Sequence, residues 1–160
     1  MTHYTYCFRL HPTVEQQNKL ASHFGCQRFV YNHFLNKRKE RYDRNEKSNY
    51  YKDAADLTKL KKEFIWLNEP SSQALQKTLK NLDTAFTRFF NKTSKFPKFK
   101  SRKNKQSFTI PQGTKVQNNN LSIPKFREGI KIKLHREIQG TIINSTISKK
   151  PCDTITSVFL

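Results

Sequence analysis

The chain has 160 residues, with 31 Lys and Arg against 12 Asp and Glu and a formal net charge of +19. That length suits one domain, or a small domain inserted into another, and a charge so far from zero opposes compaction unless a polyanion answers it. Thirteen Phe and six Tyr beside only four Gly argue against general disorder, no apolar run is long enough to span a bilayer, and the opening residues lack the apolar stretch of a secretory signal.

Tyr4, Tyr6, Phe8 and Leu10 alternate with Thr5, Cys7 and Arg9, which predicts a half-buried strand ended by His11-Pro12. Thr13 and Gln16 then fit a capping box at a helix start. That helix carries Leu20, Phe24, Tyr31, Leu35 and Tyr42 on one face. Gly25 inside it predicts a kink or a close contact. The run Asn36-Lys37-Arg38-Lys39-Glu40-Arg41 is too charged to belong to a core. A short second helix is expected over 53–63, with Leu57, Leu60 and Phe64 as its apolar edge. After Pro70-Ser71-Ser72, the residues Leu75, Leu79, Leu82, Phe86 and Phe89 recur at helical spacing and define a third.

Residues 92–106 hold seven Lys or Arg and no acid, broken by Phe96-Pro97 and Phe99, as an extended basic linker would. Beyond them short strands are expected at 107–110, 121–123, 130–134 and 141–147, separated by Pro111, Asn118-Asn119-Asn120, Pro124 and Gly140. A lone opening strand is unstable by itself. Returning it to the later sheet makes the helices an insertion into a small β-barrel, an α+β fold. The three cysteines, Cys7, Cys26 and Cys152, are odd in number and widely spaced, which fits free thiols in a reducing cytoplasm.

Nucleic acid, rather than a membrane surface, is the expected polyanion. On the third helix Lys77, Lys80, Thr84 and Arg88 recur opposite the apolar stripe, with Gln73 and Gln76 near its start. Cations at that spacing can track phosphates, and a Gln near a helix start can reach base edges; an ordinary solvated face has the same composition. The basic stretch interleaves Lys98, Lys100 and Arg102 with Phe96 and Phe99, rings that could stack on unpaired bases or dock on a neighbouring core. Lys131, Lys133 and Arg136 alternate with Ile130, Ile132 and Leu134, giving the barrel a basic outer face, although edge strands also use Lys against aggregation. No metal site or cofactor is expected. His3, His11, His23, His33 and His135 show no ligand spacing, and there is no Cys-x-x-Cys or glycine-rich phosphate loop. The helical acids Glu15, Glu40, Asp43, Glu46, Asp53, Asp56, Glu63 and Asp83 read as surface partners of neighbouring bases. A two-metal nuclease centre needs carboxylates brought together.

Phe24-Gly25-Cys26-Gln27-Arg28-Phe29-Val30-Tyr31-Asn32, Ser71-Ser72-Gln73-Ala74-Leu75-Gln76 and Asn81-Leu82-Asp83-Thr84-Ala85-Phe86 resemble, in that order, the N-terminal half of the TnpB/OrfB transposase family. Phe96-Pro97-Lys98-Phe99-Lys100-Ser101-Arg102, Ser107-Phe108-Thr109, Leu121-Ser122-Ile123-Pro124-Lys125 and Gly140-Thr141-Ile142 extend the likeness. The resemblance implies RNA-guided DNA nucleases of insertion sequences. Their N-terminal half is a wedge β-barrel carrying an inserted, helix-turn-helix-like recognition domain. It implies wedge strands at 1–12 and 107–160, a recognition domain at 13–91 and a basic connection at 92–106. Its partners would be guide RNA and target DNA. The residues nearest the target-adjacent DNA motif would be Tyr50 or Tyr51, Ser72, Gln73, Gln76 and Thr109. In the family a RuvC-like domain with three metal-binding acids and a zinc ribbon follows. The chain stops at Leu160, in what looks like the last wedge strand, so no cleavage is expected of it alone. The competing expectations are a non-functional transposon remnant and a free-standing helix-turn-helix regulator built on the second and third helices.

Overall fold

The computed structural model describes residues 2–150 and the backbone of 155–159. Strand β1 (Tyr6–His11) follows its sequence alternation, burying Tyr6, Phe8 and Leu10 and exposing Cys7, Arg9 and His11. It does return to the later sheet. β2 (Gln106–Ile110), β3 (Lys115–Gln117), β4 (Asn120–Ile123), β5 (Phe126–Lys133), β6 (Ser145–Lys149) and β7 (Ile155–Phe159) join it in one seven-stranded sheet ordered β2-β6-β7-β1-β5-β4-β3. Every pairing is antiparallel, with β1 bonded to β5 on one side and to β7 on the other. The sheet curls into a half-barrel whose edges are β2 and β3, rather than closing fully.

Three strands depart from expectation, the first two for local reasons. β3 is three residues long, too short for its alternation to be read. It is joined to β4 by Asn118-Asn119, both at positive φ (50° and 58°), so the asparagine run is a two-residue hairpin turn. β5 starts four residues before the expected Ile130 because Gly129, at φ 78°, lets the strand run through a position where a Cβ would lie 3.2 Å from that of Asn120. The strand expected at 141–147 occupies Ser145–Lys149 instead. Cys7 and Cys26 are free thiols, while Cys152, Asp153, Thr154 and Leu160 lie outside the described residues.

The chain divides into two compact units, Met1–Gly25 with Arg102–Leu160, and Cys26–Ser101. In the first, the start of α1 (Val14–Asp43) packs on the sheet. The capping box is present: the Thr13 amide donates to Gln16 Oε1 (3.0 Å) and the Gln16 amide to Thr13 Oγ1 (3.3 Å). Gln16 also donates to the Gly129 carbonyl at 2.8 Å. The rings of His23 and Phe24 meet Phe108 edge-on at 6.0 and 5.2 Å, within a core of Phe8, Leu20, Ile110, Leu121, Phe126 and Ile130. The helix runs unbroken through Gly25, and the two units divide at that residue.

The second unit holds the rest of α1, α2 (Tyr50–Glu63), a 3-10 turn (Ile65–Asn68) and α3 (Ser72–Phe90). α2 begins three residues earlier than expected because Asn49 caps it, its side chain accepting from the Lys52 amide at 2.9 Å. Leu35, Leu57, Leu60, Leu67, Leu75, Leu79 and Leu82 form its core with Val30, Phe34 and Phe86. At roughly 1.5–3 kcal/mol per buried large apolar side chain, that core is the main stabilising term here.

Two expectations for α1 are overturned. Tyr42 is 73% exposed, not core. Arg38 and Arg41, within the run set aside as too charged, are only 5% and 2% exposed. They can be buried because Asp53 of α2, itself fully buried rather than a surface acid, neutralises both. Arg38 Nε lies 2.6 Å from Asp53 Oδ2 and Arg41 reaches Oδ1 at 2.7 Å. Arg38 continues to Asp83 of α3 at 2.8 Å, and Asp56 pairs with Arg41 and with Lys37 (3.1 Å). Such a network ties three helices together, and removing Asp53 would leave Arg38 and Arg41 without their buried counter-charge.

Candidate nucleic-acid interface

In the helical unit the expected residues gather in two places. At the start of α2 the rings of Tyr50 and Tyr51 meet edge-on at 5.5 Å, and the Lys80 ammonium of α3 lies 5.6 Å from the Tyr50 centroid. Tyr51 is almost fully exposed. A second cluster stands at the start of α3, where Ser72 and Gln76 line an open groove of about 530 Å³ with Thr58, Lys61, Lys62 and Asn68. Lys61 Nζ donates to Ser72 Oγ at 2.7 Å. Gln73 and Lys77 are half-buried, whereas Thr84 and Arg88 are exposed further along the same helix. The Thr84 hydroxyl donates to the Lys80 carbonyl at 3.0 Å. Lys61, Lys62 and Asn68 were not singled out from the sequence. The only signal for them was a Lys-Lys pair directly after the apolar edge of α2.

The basic stretch is more ordered than a linker up to Ser101, where the helical unit ends. Asn32 holds it at both faces of one residue: the Lys100 amide donates to Asn32 Oδ1 (2.7 Å), and Asn32 Nδ2 donates to the Lys100 carbonyl (2.9 Å). The Lys100 ammonium sits 4.4 Å from the Tyr31 centroid, where loss of water lowers its pKa from the usual lysine value. Phe96 docks edge-on against Phe86 and Phe89 at 5.5 and 5.1 Å, so its ring belongs first to the aromatic cluster at the end of α3. Phe99 is half exposed with the Lys39 ammonium 4.7 Å from its centroid, and Lys98 is exposed.

In the sheet-bearing unit Arg102 is exposed just before β2. Thr109 is half-buried, and its hydroxyl shares a hydrogen bond with Thr146 across the β2–β6 pair at 2.9 Å. Lys131 and Lys133 both point outward from β5, and the β1–β5 register sets them directly opposite His11 and Arg9. Arg9 and Lys133 are like charges facing each other across the ladder, which is destabilising. Among the described residues no ion pair relieves Arg9, Lys131 or Lys133. Beside them lies an open hollow of about 470 Å³ lined by His11, Asn119, Lys131 and Lys133. Arg9 and His11 escaped the sequence reading because nothing local gives the β1–β5 register.

A nuclease centre of two metal ions requires convergent carboxylates. Among the described residues no group of three or more His, Cys, Asp or Glu stands close enough to hold an ion. Asp53 and Asp56 are already engaged by Arg38, Arg41 and Lys37. The residues described do not fit such a centre. No helix among them is long and apolar enough to cross a membrane.

Comparison with known proteins is consistent along most of the chain. The OrfB/IS605 helix-turn-helix domain matches residues 1–47, which here contain β1 and α1. InsQ of Escherichia coli (strain K12), whose name proposes an RNA-guided DNA endonuclease, is 33% identical over 147 residues, 89% of this chain. A protein of Streptomyces pristinaespiralis with the same proposed activity is 38% identical over 137 residues, 82% of this chain. The chain spans about a third of the length of these two relatives, 36% and 34%. The virulence protein VsdF of Salmonella dublin is 38% identical over 108 residues, 60% of this chain and 91% of that protein.

Proposed function

We infer the function from one premise: the chain belongs to the TnpB/OrfB family of insertion-sequence transposases. It acts as a nucleic-acid-binding module, with the sheet-bearing unit as the wedge and the helical unit as the recognition domain. Its ligands are a guide RNA and the DNA beside the target, in keeping with the activity proposed in the names of its longer relatives. The observation that carries this most directly is the facing of Arg9 with Lys133, with Lys131 two residues along on the same outer face of β5. A cation cluster that weakens its own sheet is explained by phosphates that neutralise it. Tyr50, Tyr51, Ser72, Gln73, Gln76 and Thr109 contact the target-adjacent DNA. Lys77, Lys80, Thr84, Arg88, Lys98, Lys100, Arg102, Lys131 and Lys133 follow the backbone. The module works in the cytoplasm and does not cut DNA by itself.

The purified chain should bind the transcript of its own element in a mobility-shift assay and should not nick supercoiled DNA when magnesium is added. Robust nicking by clean protein would overturn the claim of no catalysis. Failure to retain the transcript would overturn the binding claim. A second reading is favoured by α2 and α3, two helices joined by the short Ile65–Asn68 turn: a duplex-binding regulator needing no RNA. A footprint at the element's ends in the absence of RNA would decide for it.

A further inference from the structure

The helical unit has a third feature that neither the family match nor the expected contact residues account for. Between the end of α1, the loop at 44–49 and the end of α3 lies a cavity of about 720 Å³, within the range of roughly 300–1,000 Å³ usual for small-ligand sites. Its walls are aromatic. Phe86 and Phe89 form the floor, with Phe90 stacked over Phe86 at 6.3 Å and Phe96 standing upright against both floor rings. Tyr42 lines the opposite side, 73% exposed, while Phe90 is 62% and Phe96 38% exposed.

Rings left open to water around one cavity mark a binding surface rather than a core. Two observations say what kind. The first is charge. Of the charged groups in the lining, Arg38 is paired with Asp53 and Asp83 and Glu46 with Arg44 and Lys52, so Lys39, with its ammonium 5.4 Å from the Phe96 centroid, and Lys47 outnumber the remaining carboxylate, Asp43. The second is an unmet hydrogen bond. Ser48 lines the cavity, and its hydroxyl is shut from solvent with no partner. Ser48 and Asn45, both in the lining, are the polar groups there that a flat ligand's edge could meet. Aromatic faces for stacking, polar groups for an edge and cations for a charged backbone together describe a nucleotide base taken out of its stack.

We propose that the cavity between Tyr42, Phe90 and Phe96 receives an unpaired base of a single-stranded nucleic acid, stacked on these rings and read at its edge by Ser48 and Asn45. The proposal rests on the nucleic-acid-binding reading above and adds to it a specific site. A lipid chain would use the rings but neither the Ser48 hydroxyl nor the Lys39 and Lys47 ammonium groups.

The test compares binding of a fluorescent single-stranded oligo-adenylate with that of the same strand carrying abasic sites, which keeps every phosphate and removes the bases. Stacking contributes about five- to 150-fold per base, so the intact strand should bind at least about fivefold more tightly. The double variant Tyr42→Ala/Phe90→Ala should lose that difference, whereas Tyr4→Ala, an exposed ring in the other unit, should keep it. Should the double variant not fold, Tyr42→Ala alone gives the comparison. Equal affinities for the two strands, or a difference that survives in the variant, would overturn the proposal and leave nucleic-acid binding standing. If neither strand binds, both fall.

Discussion

Asn32 holds Lys100 by both its amide and its carbonyl, fastening the basic stretch to α1 sixty-eight residues away in sequence. Two such bonds are worth about 1–2 kcal/mol together. Asn32→Ala should therefore lower stability by about that amount and free the stretch, so that trypsin cuts at Lys98, Lys100 and Arg102 earlier than in the parent. An unchanged digestion pattern would show that the clasp does not order the segment.

The buried pairs of Asp53 with Arg38 and Arg41 predict a large effect from one carboxylate. Asp53→Ala leaves two guanidinium groups without their buried counter-charge, which costs about 3–5 kcal/mol. Asp53→Asn keeps the shape and some hydrogen bonding and should fall between. Urea denaturation monitored by far-UV circular dichroism measures both, and a loss below about 1 kcal/mol for Asp53→Ala would mean the cluster is not closed in solution.

Asp56 gives stability an acid limb. Burial pushes its pKa up, but the hydrogen bond and charge of Lys37, with Arg41 and Lys59, outweigh that and hold it below the usual carboxylate value. A carboxylate depressed on folding contributes stability that is complete above its unfolded pKa and is lost as pH falls through the folded value. The midpoint of thermal unfolding should thus drop on acidification below the ordinary carboxylate range. Asp56→Asn should make that drop shallower while lowering the midpoint at neutral pH. An identical acid profile in the variant would refute the assignment.

Lys133 should affect folding and binding in opposite directions. Replacing it with Thr removes the like charge facing Arg9, which should stabilise the sheet by about 0.2–1 kcal/mol. The same change should weaken RNA binding and reduce the salt slope by about 0.7 to 0.9 for the lost phosphate contact. Paired thermal melts and binding isotherms check it. Weaker binding accompanied by weaker folding would point to a structural role instead.

What could be read from the sequence was whatever depends on near neighbours. The Tyr6, Phe8, Leu10 alternation, the Thr13–Gln16 box and the Leu75 to Phe86 stripe each need only a few residues to fix their geometry. The return of β1 to the sheet followed because a lone strand has nowhere else to bond. Hidden were the features set by distant partners. Arg38 and Arg41 look like surface residues until Asp53 is placed against them. Arg9 and His11 become part of a basic face only through the β1–β5 register, and Lys61 and Lys62 join Ser72 and Gln76 only once α2 lies beside α3. Phe96 could have served a base or a core equally well, and the contacts with Phe86 and Phe89 make it part of both cluster and cavity.

On the proposed function, the charge of this chain serves to hold a nucleic-acid backbone. The most direct measurement is the affinity of the purified chain for the single-stranded transcript of its element as potassium chloride is raised. Log affinity should fall in a straight line with log salt, at about −0.7 per phosphate engaged, steeply enough to report several contacts. A flat dependence, or no binding at low salt, would contradict it.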